Sequence, residues 1–159
     1  MQTDEPPFIK NKFAQLVVGV MCADYPHAWP HVWAQLLGLL PNGPVAIDLF
    51  LRVLNTVHEE VVSAEGSGHD PQLAARIKDA MRAGCLPQLV EAWHSILQLH
   101  ESAEALCAAC LHTIHLYISW IDIGLVTSPL IMQRLLAFVR VAALHEGACI
   151  CLNEPKPTP

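Results

Sequence analysis

The chain has 159 residues, a net charge of −6, 53% apolar residues and only 15% charged ones. That length can bury a core without metal or disulfide support. The composition excludes a disordered chain, and the acidity argues against a stand-alone nucleic-acid binder, which is usually basic. A self-contained soluble domain carries about 25% charged residues, so part of this surface is expected to face a larger protein or a partner.

Met1-Gln-Thr-Asp-Glu-Pro-Pro7 is acidic, has no apolar signal core, and reads as a flexible tail (residues 1–7). The longest apolar runs are interrupted before about 18 residues, so no membrane span is expected. Ile9, Phe13, Leu16, Val17 and Val20 fall on one face of a helix predicted over Phe8–Ala23. Asp24-Tyr-Pro-His-Ala-Trp-Pro30 breaks it. Pro30 suits the first position of a second helix, His31–Leu40. Pro41-Asn-Gly-Pro44 is a turn. A third helix, Val45–Ser63, is expected to bury Leu49, Val53, Leu54, Val57 and Val61.

Ala64-Glu-Gly-Ser-Gly-His69 reads as a flexible loop, and Asp70-Pro71 as a strong helix start. The fourth helix runs to Ala83 with Leu73, Ile77 and Met81 inward. A fifth runs from Pro87 to His100. Ser102 is expected to cap a sixth that continues through Ile118. Ser128-Pro129 opens a seventh, to Val139, and His145–Asn153 is an eighth. Glu154-Pro-Lys-Pro-Thr-Pro159 is a Pro-rich, extended tail. With no strand pattern, the fold is predicted to be all-α. Openings at Pro87 and Pro129 lie within the period of about 40–47 residues of HEAT and armadillo units. The expected architecture is a HEAT-repeat-like α-solenoid over residues 8–153, a right-handed superhelix of roughly three units of antiparallel helix pairs. The first helix is expected to be the second half of a unit whose first half is missing. An uncapped end of such an array would account for the high apolar fraction.

Several segments resemble the exportin branch of the importin-β-like nuclear transport receptors. Phe8-Ile-Lys-Asn-Lys-Phe-Ala-Gln15, Asp24-Tyr-Pro and Trp29-Pro30 look like the opening of the exportin HEAT region. Asp48-Leu-Phe-Leu-Arg-Val-Leu54 and His58-Glu-Glu-Val-Val62 look like the helix after it. Ile77-Lys-Asp-Ala-Met-Arg82, Leu89-Val-Glu-Ala-Trp93, Tyr117-Ile-Ser-Trp-Ile-Asp122 and Gly147-Ala-Cys-Ile-Cys-Leu152 resemble the tRNA-carrying members. The resemblance implies a receptor, not an enzyme, that shuttles between nucleus and cytoplasm. It implies tRNA, the Ran GTPase in its GTP form and nuclear pore proteins as partners, with no cofactor. Family members are much longer, so the chain is expected to be a fragment, a truncated product or a short relative. An exportin for another cargo and a protein-binding HEAT scaffold remain open.

Lys78 and Arg82 are four residues apart and are expected to share a face opposite Ile77 and Met81, with Arg76 near. The resemblance implies contacts of such residues with tRNA phosphates, and a solvated helix face is the plainer alternative. Lys10, Lys12, Arg134 and Arg140 are weaker candidates. Cys107-Ala-Ala-Cys110 with His112 and His115 has the residue types of a metal site. On one helix, at about 100° per residue, His112 points away from both thiols, so packed core thiols are expected instead. The six cysteines read as reduced. The nine scattered histidines show no catalytic spacing, and no Gly-Lys-Ser/Thr phosphate loop is present. Trp29, Trp33, Trp93 and Trp120 are read as packing residues rather than base-stacking platforms. Glu59, Glu60 and Glu65 form an acidic stretch, read as a solvated helix end.

Overall fold

The computed structural model describes residues 5–63, 70–122, 124 and 127–153. Among them are eight α-helices and no strand: α1 Pro7–Asp24, α2 Val32–Gly38, α3 Pro44–Val57, α4 Pro71–Gly84, α5 Leu86–Leu97, α6 Glu104–Ile118, α7 Pro129–Phe138 and α8 His145–Leu152. They gather into two compact units, residues 1–85 and 86–159. The expected loop 64–69 and the tail 154–159 lie outside the described residues.

In the first unit α1 lies against α3. The expected core face of α1 is not the one used. Lys10, Ala14, Val18 and Met21 are buried, whereas Ile9, Phe13, Leu16 and Val20 are exposed, Leu16 at 72%. Both stripes satisfy helical periodicity. The stripe through Ala14 and Val18 has smaller side chains and lets the α3 backbone come close. Lys10 is tolerated inside because its Nζ lies 3.0 Å from an Asp48 carboxylate oxygen on α3. Arg52 Nε donates to the other Asp48 oxygen at 3.1 Å, and Arg52 reaches back to Asn11 Oδ1 at 2.6 Å.

Tyr25 and Trp33 meet edge to face, 6.5 Å between centroids, and anchor the Pro26–Pro30 break. The second helix starts later than expected: His31 is its N-cap, and Pro30 precedes it. The Pro41 turn is a 3₁₀ segment, Leu40–Asn42, followed by Gly43 at φ 106°. That left-handed backbone suits glycine and strains any residue with a Cβ. The third helix does not run evenly to Ser63. It is α-helical to Val57 and then widens into a π turn, His58–Val62. Its buried side is Ile47, Phe50, Leu51, Val53, Leu54 and Val57, while Leu49 is only half-buried.

The second unit is built from two helix hairpins. Helix α5 packs on α6 and α7 on α8, and across the pairs α5 meets α7 and α6 meets α8. First helix on first and second on second is HEAT-like stacking, with α5 and α7 opening at Leu86 and Pro129. Trp93, Tyr117, Leu97 and Phe138 are fully buried. Trp93 and Tyr117 pack edge to face at 5.7 Å. A methyl on Gly147 would stand 3.1 Å from Leu111 Cβ, so glycine there sets the close approach of α8 to α6. Ser102 does not cap α6: its hydroxyl donates to Leu99 O at 3.2 Å, and Ala103 is the cap residue.

Candidate nucleic-acid interface

Helix α4 carries Arg76, Lys78 and Arg82. It starts where Asp70 leaves the chain extended and its carboxylate accepts the Gln72 N–H at 2.9 Å. Pro71 then fills the first turn, where its missing N–H costs nothing. Ala74, Ile77 and Met81 form the buried side.

The three cations part ways on this helix. Arg76 is about 200° around from Lys78. Its guanidinium donates to the Cys22 carbonyl near the end of α1. That bond ties α4 to α1 beside a cleft lined by Cys22, Asp70, Gln72, Leu73 and Arg76. Lys78 and Arg82 do share a side. The side is not opposite Ile77 and Met81, because successive residues are only about 100° apart. Lys78 flanks the core stripe and is half-buried. Partial burial, and then the neighbouring Arg82 charge, draw its ammonium below the usual lysine range. A phosphate held between the two cations would reverse the second effect. Arg82 sits in the last turn, where the helix dipole favours a cation, and its Nη1 lies 3.0 Å from Asp79 Oδ1.

The weaker basic candidates are dispersed. Lys10 belongs to the buried pair with Asp48 and is no surface contact. Local sequence carries no hint of this, since the partner is 38 positions away on another helix. Lys12 is exposed and donates to Gln15 at 2.9 Å. Arg134 is half-buried on α7, and Arg140 is exposed beyond its end.

Cys107 and Cys110 are core thiols. Cys107 Sγ donates to Ile96 O at 3.2 Å, and Cys110 Sγ lies 3.8 Å from Trp93 O. Burial pushes the Cys110 thiol well above its ordinary range, so it stays protonated. His112 is exposed and His115 half-buried, and among the described residues no group of three His, Cys, Asp or Glu is placed to hold a metal ion. Trp33 and Trp93 are buried and cannot stack on bases. Trp29 is half-buried, its Nε1–H donating to Gln35 at 2.8 Å. Trp120 packs on Tyr117 at 5.2 Å. Glu59 and Glu60 are exposed on the π turn, and Glu65 lies outside the described residues.

The stacked hairpins of the second unit are the packing of a repeat-built protein. The sequence matches the family described as Xpo1, Exportin 1-like protein, over residues 6–152. The chain belongs to this family, one of nuclear export receptors. Among curated relatives it is similar to mouse Exportin-T, 36% identical with 97% of this chain covered, and to human Exportin-T, 36% identical over 94%. It is also similar to Arabidopsis thaliana Exportin-T, 37% identical over 83%. The chain spans 17, 16 and 14% of the lengths of these three, in that order.

Proposed function

We propose that the chain is a segment of a receptor that carries tRNA from nucleus to cytoplasm in a Ran·GTP-dependent complex. The observation that carries this reading is the similarity to Exportin-T of animals and a plant along most of the chain. Shuttling through contact with nuclear pore proteins belongs to the same reading. The mechanism is linkage rather than bond chemistry. If tRNA and Ran·GTP favour the same curvature of the repeat array, each raises the affinity for the other. Hydrolysis of GTP by Ran would remove that coupling and release the cargo. Recognition of tRNA then rests on shape and phosphates more than on base sequence. Lys78 and Arg82 are the residues proposed to touch phosphate, and Arg76 is the third candidate, already engaged with α1.

The test grafts this chain into mouse Exportin-T in place of the matching stretch. Labelled tRNA binding is then measured with and without GTP-loaded Ran at two salt concentrations. Binding that needs Ran·GTP and weakens with salt supports the reading. Reversing Lys78 and Arg82 to Glu should then lower the salt slope by about one for each phosphate no longer neutralised. Equal, weak binding in both conditions overturns it. The net charge of −6 favours a protein-binding HEAT scaffold as the second reading; it predicts no RNA binding at either salt and no Ran effect. Ran-dependent capture of a different cargo would point to another exportin.

A further inference from the structure

Seven of the eleven large apolar side chains that stay exposed among the described residues belong to the first unit. Phe8, Ile9, Phe13, Leu16 and Val20 run along α1, on the side turned away from Ala14 and Val18. Leu39, just past α2, and Val45, in the first turn of α3, are the other two. Phe13 joins the two groups, because it lines one cleft with Leu36, Leu39, Val45 and Leu49. The face therefore carries a ridge, most exposed at Leu16, and beside it a hollow of about 260 Å³. The four side-chain carbons of a leucine, at about 30 Å³ each, fit within that volume.

The extent of the face is that of an interface. The seven side chains keep 41–72% of their surface. At about 200 Å² for a large apolar side chain, this leaves about 700 Å² in water. The largest apolar patch of a typical monomer is about 300–600 Å², and a stable pair takes about 800 Å² from each partner. Charge is sparse along the ridge. Lys10 is turned inward to Asp48, and Lys12 donates to Gln15. The Lys12 stem can lie along apolar surface with its ammonium in solvent.

We propose that this face docks a second copy of the chain, as a two-fold dimer in which Leu16 of each copy enters the cleft beside Phe13 of the other. A two-fold interface uses the same patch on both copies, so it needs a projection and a hollow on one face. This face has both. Each copy carries a net charge of −6, so the pair should tighten as salt screens the repulsion between them. The pairing is independent of the export reading, whose tRNA contacts weaken with salt.

The test is sedimentation equilibrium of the unaltered chain over a concentration series at two salt concentrations. A closed dimer that strengthens with salt is expected. Leu16→Glu on the ridge and Val45→Glu at the cleft should each raise the dimer dissociation constant at least about tenfold, since each change puts two charges into the interface. Leu136→Glu, at an equally exposed leucine on α7, should leave it unchanged. A single copy at every concentration up to about 100 μM overturns the proposal and leaves the face to another partner, such as a helix of a further repeat. An equal shift with Leu136→Glu overturns it too, as does growth beyond two copies, the mark of head-to-tail contact. If Leu16→Glu loses its helical circular dichroism, Val45→Glu and the salt series decide.

Discussion

Residues 1–85 and residues 86–159 are built from similar helices joined by different ties. In the first unit, charged groups bridge the helices: Lys10 and Arg52 converge on Asp48, and Arg76 reaches the Cys22 carbonyl. In the second, thiols do so: Cys107, Cys110 and Cys151 face carbonyls on other helices, while ring pairs serve both units, Trp93 on Tyr117 here and Tyr25 on Trp33 in the first. Helix packing fixes the approach of the backbones in both, and the chemistry between them is free to vary around it. The consequence is energetic. A buried ion pair is costly to break but cheap to replace, whereas a filled aromatic site has no cheap substitute.

Trp93→Ala should show the largest effect, a loss of about 3–5 kcal/mol. Urea unfolding of the chain measures it, and a loss below about 1 kcal/mol would mean the second unit does not depend on its aromatic core. Asp48→Ala strands the Lys10 ammonium and should cost about 2–3 kcal/mol, less than a fully buried pair because Asp48 keeps some solvent. Lys10→Met should stay within about 1 kcal/mol of the parent, since it removes the charge that needs a partner. Similar losses in both variants would contradict the idea that the tie is replaceable.

Alkali sharpens the same contrast. Burial pushes Cys85 from 9.0 up to about 12, and Tyr25 from 10.0 up to about 12. Both are acids held neutral in the folded chain, so the unfolded chain loses its protons first. Their contribution is fully present below pH 9 and is lost as pH rises from 9 towards 12, by up to about 1.4 kcal/mol per pH unit for each group. Stability that rises over that range would refute the assignment. Cys85→Ala should flatten the lower part of the slope. The smallest effect is expected at the start of α4, where Asp70→Ala should cost about 1 kcal/mol by freeing the Gln72 N–H.

Helix starts are legible in the sequence where a local signal carries them. Asp70-Pro71 and Ser128-Pro129 open α4 and α7 at the expected places, and Asp24 closes α1. Sequence misleads where two readings are locally equal. The bulky stripe of α1 has the pattern of a core face, yet the smaller stripe is buried, because closeness to α3 and the Asp48 carboxylate are tertiary facts. Ser102 has the makings of a cap, but its hydroxyl turns back to Leu99. For the candidate interface, the shared side of Lys78 and Arg82 follows from their spacing. The use of Arg76 on α1 does not, since its partner lies 54 positions earlier.

The widened turn at His58–Val62 bears on how this chain is to be aligned. Val61 and Val62 are buried there, and a π turn holds about one residue more than an α turn. A helix that ends this way can shed or gain a residue without turning the preceding stripe, Val53, Leu54 and Val57, away from its neighbours. Length differences among relatives should therefore collect at 58–62 as single-residue gaps, and a deletion of Glu59 should read as a regular α-helical end rather than as a break.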